Sequence, residues 1–272
     1  MKKALSIWCF PGGTSLLDAM RAAKRAGFDG IELALSEEGE LSPATSDAGA
    51  AKIRDAAADL GIEISSFASG LGWKYALTSG DAQERNKALD LTRHCLRLAK
   101  ALGADCVLTV PGTVNENMPY DTAYANCVAV YKQLGPDAER AGVYLGIENV
   151  WNKFLLSPLE MARIIDEINM PYVCAFFDVG NVLINAFPEQ WIRILGKRIR
   201  KVHIKDFKTS IGNIQGFTTL LNGDVNWPRV IGALKEVGYD GYLVAEVGPS
   251  HKTFPEHLIE ETSRAMSKIL SL

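Results

Sequence analysis

The sequence predicts an α/β chain folded as one (β/α)8 TIM barrel over residues 1–272. Three observations carry that expectation. Apolar strand-like runs alternate with amphipathic helical runs eight times along the chain. A short echo of helix end, glycine and apolar strand start recurs at Ala26-Gly27-Phe28, Leu60-Gly61-Ile62, Leu102-Gly103-Ala104, Ala141-Gly142-Val143 and Val237-Gly238-Tyr239. The strand runs are apolar almost throughout, as parallel strands covered by helices must be. Right-handed crossovers join such units, and eight of them close into a barrel. A doubly wound open sheet fits less well, because no GxGxxG follows the first strand.

The elements follow in order. Residues 4–9 form a first strand, cut off by Pro11-Gly12-Gly13. Met1-Lys2-Lys3 before that run imitates a secretory leader, but the run is short and lacks a small-x-small cleavage site. A helix at 14–26 leads to a strand at 29–35, and a helix at 46–60 to a strand at 62–67. A loop at 69–80 carries Trp73 and Tyr75. The helix at 81–102 shows its period openly, with Ala88, Leu91, Cys95, Leu98 and Leu102 on one face. Asp81 caps its start and Gly103 ends it. Strand 105–110, helix 119–141, strand 143–149, helix 157–168, strand 172–178, helix 188–195 and strand 200–205 continue the alternation. The longest irregular stretch, 207–225, contains Gly212, Gly216 and Gly223, and a loop of that length in a compact domain is usually a functional lid or a disordered insert. Asn226 caps a helix at 227–237 with Pro228 in its first turn, and strand 241–247 and helix 255–270 complete the set.

Composition narrows the function. A chain of 272 residues with 47% hydrophobic content can bury about 75% of its unfolded surface. Net charge is −3 and the pI near 5.9, with no basic stripe, so nucleic acid is not the expected partner. No run approaches the roughly 18 apolar residues of a membrane span. Five cysteines, Cys9, Cys95, Cys106, Cys127 and Cys174, are widely spaced and form no CxxC pair. They read as small buried hydrophobes of a protein in the reducing cytoplasm.

Four residues organise the chemistry. His203 lies inside a predicted strand, flanked by Val202 and Ile204, so it faces opposite to them. Glu148, Asp178 and Glu246 end three other strands. In a barrel these four strands are neighbours, and their C-terminal ends meet at the mouth. Three carboxylates at such a distance raise one another's pKa unless a positive charge lies between them. A divalent cation removes the conflict. Oxygen ligands with one imidazole and no thiolate suit Mn²⁺, Mg²⁺ or Co²⁺ better than structural zinc.

The expected chemistry follows from the cation. Gripping a carbonyl and the neighbouring hydroxyl, it acidifies the C–H between them and stabilises the enediolate. Glu148 and Glu246, on opposite sides of the substrate, remove a proton from one face and return it to the other, which inverts that carbon. If one base works alone, the outcome is an aldose–ketose isomerisation.

Five segments carry a family resemblance: Gly146-Ile147-Glu148-Asn149, Phe177-Asp178-Val179-Gly180-Asn181, Val202-His203-Ile204-Lys205-Asp206, Gly223-Asp224-Val225-Asn226-Trp227, and Gly238-Tyr239-Asp240-Gly241 leading to Ala245-Glu246. The chain resembles the sugar-phosphate isomerase/epimerase superfamily of xylose-isomerase-like barrels, near the L-xylulose-5-phosphate 3-epimerase and ketose 3-epimerase groups. The resemblance implies Mn²⁺, or Mg²⁺, Co²⁺ or Zn²⁺, on Glu148, Asp178, His203 and Glu246, and acid–base catalysis by Glu148 and Glu246. It implies a small sugar or sugar phosphate as substrate and leaves a homodimer or homotetramer open as the assembly. Asn149, Trp151, Asn181, Lys205, Asp206 and Lys208 are the candidate substrate-binding residues. Asn149 serves alternatively as a hydrogen-bond partner of a metal ligand, and Asp206 as the orienter of His203 or of the lid. Glu32, ending the second strand, faces the same mouth or pairs with a lysine. Free-ketose epimerases carry a histidine three residues after the metal aspartate and an arginine six after the metal histidine; here those places hold Asn181 and Thr209. That pattern looks closer to the phosphate-bearing pentulose epimerases, with Lys205 and Lys208 to meet a phosphate, and it also resembles enzymes of keto-glycosides and inositol derivatives. The nuclease branch of the superfamily uses many histidines for three metals, whereas this chain has four in all.

Overall fold

A computed structural model describes residues 1–251 and 253–272. Eight parallel strands close into a barrel: β1 (Lys2–Ser6), β2 (Gly30–Leu35), β3 (Glu63–Ser69), β4 (Cys106–Thr109), β5 (Tyr144–Glu148), β6 (Val173–Asp178), β7 (Ile199–Ile204) and β10 (Tyr242–Ala245). The short strands β8 (Asp206–Phe207) and β9 (Phe217–Thr218) pair antiparallel outside the barrel. Helices α1 (Leu16–Arg25), α2 (Asp47–Asp59), α3 (Ala82–Leu102), α4 (Tyr120–Ala141), α5 (Pro158–Ile168), α7 (Pro188–Leu195), α8 (Trp227–Glu236) and α9 (Glu256–Leu270) cover it, with one further turn, α6 (Val179–Val182). Among the described residues, no helix is long and apolar enough to cross a membrane.

Local chemistry sets the ends. Asp81 accepts the Gln83 N–H at 2.8 Å to open α3, and Gly103 closes it at φ 79°, a left-handed conformation that glycine reaches without a Cβ clash. Asn226 accepts from the Arg229 N–H to start α8, with Pro228 in the first turn. Two expectations change. The first barrel strand stops at Ser6, whose hydroxyl accepts the Trp8 N–H and turns Ile7–Cys9 into a 3-10 helix. The stretch 207–225 is not wholly irregular, since β8, β9 and a 3-10 turn at Ile214–Gly216 fold it into a hairpin over the mouth.

Strand alternation divides the core. Outward residues pack under the helices in one large cluster, including Leu33, Phe67, Ile147, Phe177, Val202 and Ile204. Inward positions are filled by Ala68, Cys106, Leu108, Cys174 and Phe176. On β7 the inward file is polar: Lys201 at the bottom, pairing with Asp105 at 2.7 Å, then His203, then Lys205 just past the strand. All five cysteines are free and buried.

Candidate metal centre and active site

Four adjacent staves deliver the donors. β5, β6, β7 and β10 lie in that order around the barrel. Glu148 and Asp178 end β5 and β6, His203 pairs in register with Asp178 on one side and Val244 on the other, and Glu246 follows β10 directly. One donor atom from each of Glu148, Asp178, His203 and Glu246 lies within 4.8 Å of every other. From His203 Nδ1 the separations are 3.3 Å to Glu148 Oε1, 3.6 Å to Glu246 Oε2 and 3.9 Å to Asp178 Oδ2.

The imidazole is held from behind. His203 Nε2 lies 2.9 and 3.1 Å from the two oxygens of Glu32, which also accepts from Ser66 Oγ at 2.8 Å. A carboxylate only accepts, so Nε2 carries the proton and Nδ1 points its remaining valence at the three acids. The Phe176 ring meets the imidazole edge-on at 4.6 Å and prevents it from rotating. Glu32 therefore partners His203, not a lysine.

The donor set fits a divalent cation. Two polar atoms at its centre, Asp178 Oδ2 and His203 Nδ1, are buried without a hydrogen bond, and only the Lys205 ammonium, 3.1 Å from Asp178 Oδ2, offers either an ion pair of opposite sign. Buried polar atoms without partners cost about 1–3 kcal/mol each, so a pair aimed at one point marks a place for an ion. The other Asp178 oxygen is spent locally, accepting the Asn181 N–H at 2.7 Å to cap α6. One imidazole with three carboxylates suits a hard or borderline divalent ion.

Electrostatics agree. Burial lifts the Glu148 carboxyl from its ordinary value to about 7, against the pull of His203. Burial also lifts Asp178, only partly opposed by Lys205. Burial alone would lower His203, but Glu32 foremost, then Glu148 and Glu246, hold it well above its usual range. Glu246 is the exception. Despite burial, the Lys205 ammonium and then His203 keep it far below the ordinary carboxylate range. The two glutamates at the ends of the arc thus differ in proton affinity, the arrangement that separates an acid from a base.

The remaining candidates divide. Lys205 enters the centre, with Nζ 2.6 Å from Glu246 Oε2, 3.1 Å from Asp178 Oδ2 and 5.0 Å from the Phe217 ring centroid. Trp151 walls the mouth, donating from Nε1 to the Asn181 carbonyl at 2.8 Å, and Asn181 lines the same cavity. Asn149 does not line this cavity. Its amide is buried and bonds both backbone groups of Asp178, at 2.8 Å each, which fixes the β6 end. Asp206 does not line the cavity or bond His203 either. It is fully buried and accepts from the N–H groups of Phe207, Leu221 and Val225 and from Trp227 Nε1. Lys208 is half-buried at the base of the β8–β9 hairpin and does not line the cavity. Sequence reasoning underweighted Glu32, although a carboxylate inside the apolar run of the second barrel strand was its signal, and passed over Trp8, Ile214 and Phe217, which line the mouth. Among the described residues a second donor group, His251, His257 and Glu261, lies outside this centre at the start of α9 and is half-exposed.

The family described as Xylose isomerase-like TIM barrel matches residues 20–269. The chain belongs to this family. A curated relative of this xylose isomerase-like barrel, the L-ribulose-5-phosphate 3-epimerase of Salmonella paratyphi A, is 24% identical over 246 residues, covering 86% of this chain and 83% of the relative. Among solved structures, a D-psicose 3-epimerase with D-tagatose from Clostridium cellulolyticum H10 superposes with TM-score 0.84 at 16% identity, covering 100% and 99% of the two chains. The IOLI protein with a bound zinc atom gives TM-score 0.85 at 18% identity over 100% and 98%. These likenesses extend the barrel fold to the whole chain.

Proposed function

We propose that this xylose isomerase-like barrel is a divalent-metal-dependent epimerase that inverts a carbon next to the carbonyl of a ketose or ketose derivative. The observation that carries it is the convergence of Glu148, Asp178, His203 and Glu246 on one point, where Asp178 Oδ2 and His203 Nδ1 make no hydrogen bond. The 3-epimerases that this chain is similar to support the reaction class.

Glu148, Asp178, His203 and Glu246 would hold the ion, Mn²⁺ in the first place. When bound, the ion supplies Lewis-acid polarisation of the substrate carbonyl, which acidifies the adjacent C–H. Glu148 and Glu246 stand at the two ends of the four-strand arc and both line the mouth. One takes the proton from the near face and the other delivers a proton to the far face. Lys205, 2.6 Å from Glu246 Oε2, pairs with that carboxylate and holds it at the mouth. Glu32 and Phe176 fix His203, and Asn149 fixes Asp178, so the donors are in place before substrate arrives. Trp151 and Asn181 flank the sugar.

Residues 1–272 act as one catalytic domain, and the five unpaired cysteines suit a cytoplasmic enzyme. Its partners are a small sugar-like molecule and further copies of itself, as a dimer or tetramer, and not nucleic acid. The test is exchange of the proton beside the carbonyl in D₂O with Mn²⁺ added, over a panel of pentuloses, hexuloses and keto-glycosides. Exchange with retention of the ketone identifies an epimerase. Migration of the carbonyl identifies the aldose–ketose isomerase. No exchange with any substrate refutes both.

A further inference from the structure

We infer that the substrate carries no phosphate and is an uncharged keto sugar extended by an apolar group or second ring, as in a keto-glycoside. The inference rests on the epimerase reading of the same site and names its substrate class.

The mouth is a cavity of about 400 Å³ with the carboxylate–histidine centre at its floor. Its walls are Trp8, Trp73, Trp151, Phe217 and Ile214, drawn from four separate segments of chain. Phe217 arrives on the β8–β9 hairpin and packs at 5.0 Å against Trp151, so the hairpin and the β5 loop form one continuous aromatic side. Trp73 and Ile214 come from different loops, yet both face this cavity and both are left largely in water, 58% and 66% exposed. Large apolar side chains exposed together around a concavity mark a surface that something apolar covers. Indole and phenyl faces stack on the C–H faces of sugar rings and on aromatic aglycones.

A phosphate requires the reverse. It brings about −1.5 to −2 charges and is held by arginine or lysine forks, or by backbone N–H groups at a helix start. Among the described residues, Lys205 is the only cation lining the cavity, and its ammonium is already shared between Glu246 and Asp178. Lys74, next to Trp73, is paired with Glu37. Lys208, the other lysine expected at a phosphate, sits at the base of the hairpin and does not line the cavity. Thr209 spends its N–H and hydroxyl on Asp224 at 2.7 and 2.6 Å. A dianion would therefore meet aromatic rings and no unpaired side-chain cation among the described residues that line the cavity.

The test uses Mn²⁺-loaded enzyme and four matched compounds: a free ketohexose, its phosphate, a methyl keto-glucoside and a p-nitrophenyl keto-glucoside. Proton exchange in D₂O is expected with a kcat/KM order of aryl over methyl over phosphate, aryl exceeding phosphate at least 100-fold. Trp73→Ala is expected to raise KM for the aryl compound about ten times more than for the methyl one, and Ile214→Ser to act in the same direction. A phosphate used with lower KM than its unphosphorylated parent overturns the inference and leaves the epimerase reading intact. Equal KM losses for aryl and methyl compounds in Trp73→Ala also overturn it. If nothing exchanges, the epimerase reading fails, and quenching of tryptophan fluorescence decides the binding question. Tighter binding of the phosphate than of the aryl glycoside then sinks the inference, and the opposite order upholds it.

Discussion

Glu32 offers the sharpest test of the centre. It is fully buried, lies 2.9 and 3.1 Å from His203 Nε2 and accepts from Ser66 at 2.8 Å. Glu32→Gln keeps the shape and an acceptor oxygen for Nε2–H, so Nδ1 stays free, but the charge that makes the imidazole a strong donor is lost. Glu32→Ala removes both and leaves Nε2–H unpartnered where water does not reach. Loss of such a partner typically weakens metal binding 10- to 100-fold. That corresponds to about 1.4–2.7 kcal/mol. The lower end is expected for Gln and the upper end for Ala. Titration with Mn²⁺, following the free-ion EPR signal, gives the affinity directly. Thermal unfolding at fixed excess Mn²⁺ gives a second measure, because each tenfold loss in affinity removes about 1.4 kcal/mol of ion-dependent stabilisation. If both variants fold and bind Mn²⁺ within twofold of the parent, the imidazole is not oriented through Glu32 and the assignment of Nδ1 as ligand falls.

Four further outcomes follow. Glu148→Gln and Glu246→Gln should each lower kcat by about 10²–10⁴-fold in the exchange assay while an uncharged sugar still quenches tryptophan fluorescence. The Glu148 carboxyl is raised to about 7 without an ion, so folding favours its protonated form. The resulting stabilisation is complete below the unfolded value near pH 4.5 and is lost as pH rises through 7. Glu148→Gln should then stabilise the ion-free protein at pH 8 and have little effect at pH 4, read as Tm against pH. Asp105 is held low because Lys201 and then Arg200 outweigh its burial, so Asp105→Asn should destabilise at pH 7 and lose that effect as pH falls below about 4, measured by urea titration. Gly180→Ala would place a Cβ 2.7 Å from the Lys205 carbonyl oxygen and against its side chain, and should cost about 1–3 kcal/mol with a matching loss of Mn²⁺ affinity.

Much of the barrel was legible because two periods are written plainly into the chain. The helix–glycine–strand echo fixed five of the turns, and the single acids at the ends of three strand runs, Glu148, Asp178 and Glu246, marked the mouth. Glu148, Asp178, His203 and Glu246 could be named because parallel register turns sequence position into height along the barrel. What a strand-end residue does with its side chain is not written there. Asn149 looked like a sugar-binding amide, yet it closes two hydrogen bonds on the Asp178 backbone, a choice that depends on the β5–β6 register. Glu32 lies 171 positions from His203, and only closure of the barrel brings them together. The mouth's aromatics were hidden for a different reason. Ile214 and Phe217 sit in a segment whose hairpin is held by tertiary contacts and not by local propensity.

Those contacts start from one turn. Residues 203–206 send successive side chains to different places: His203 into the barrel against Glu32, Ile204 outward under the helices, Lys205 up between Glu246 and Asp178, and Asp206 sideways into the hairpin. Asp206 alone gathers four donors from residues 207–227. Gly223 lets the return strand pass because a Cβ there would run into the Asp206 carboxylate and stand 2.6 Å from the Phe207 nitrogen. The hairpin that brings Phe217 over the mouth and the lysine that sets the charge of Glu246 are therefore anchored on neighbouring residues of one chain segment. Asp206→Ala strands several donors at once, at about 1–3 kcal/mol for each left unsatisfied. Amide exchange across 207–225 should accelerate sharply, and substrate KM should rise. Mn²⁺ affinity should stay within a few-fold, because no ligand is touched. Were exchange in that segment unchanged, the hairpin would be held by its aromatic packing alone and Asp206 would have no part in shaping the mouth.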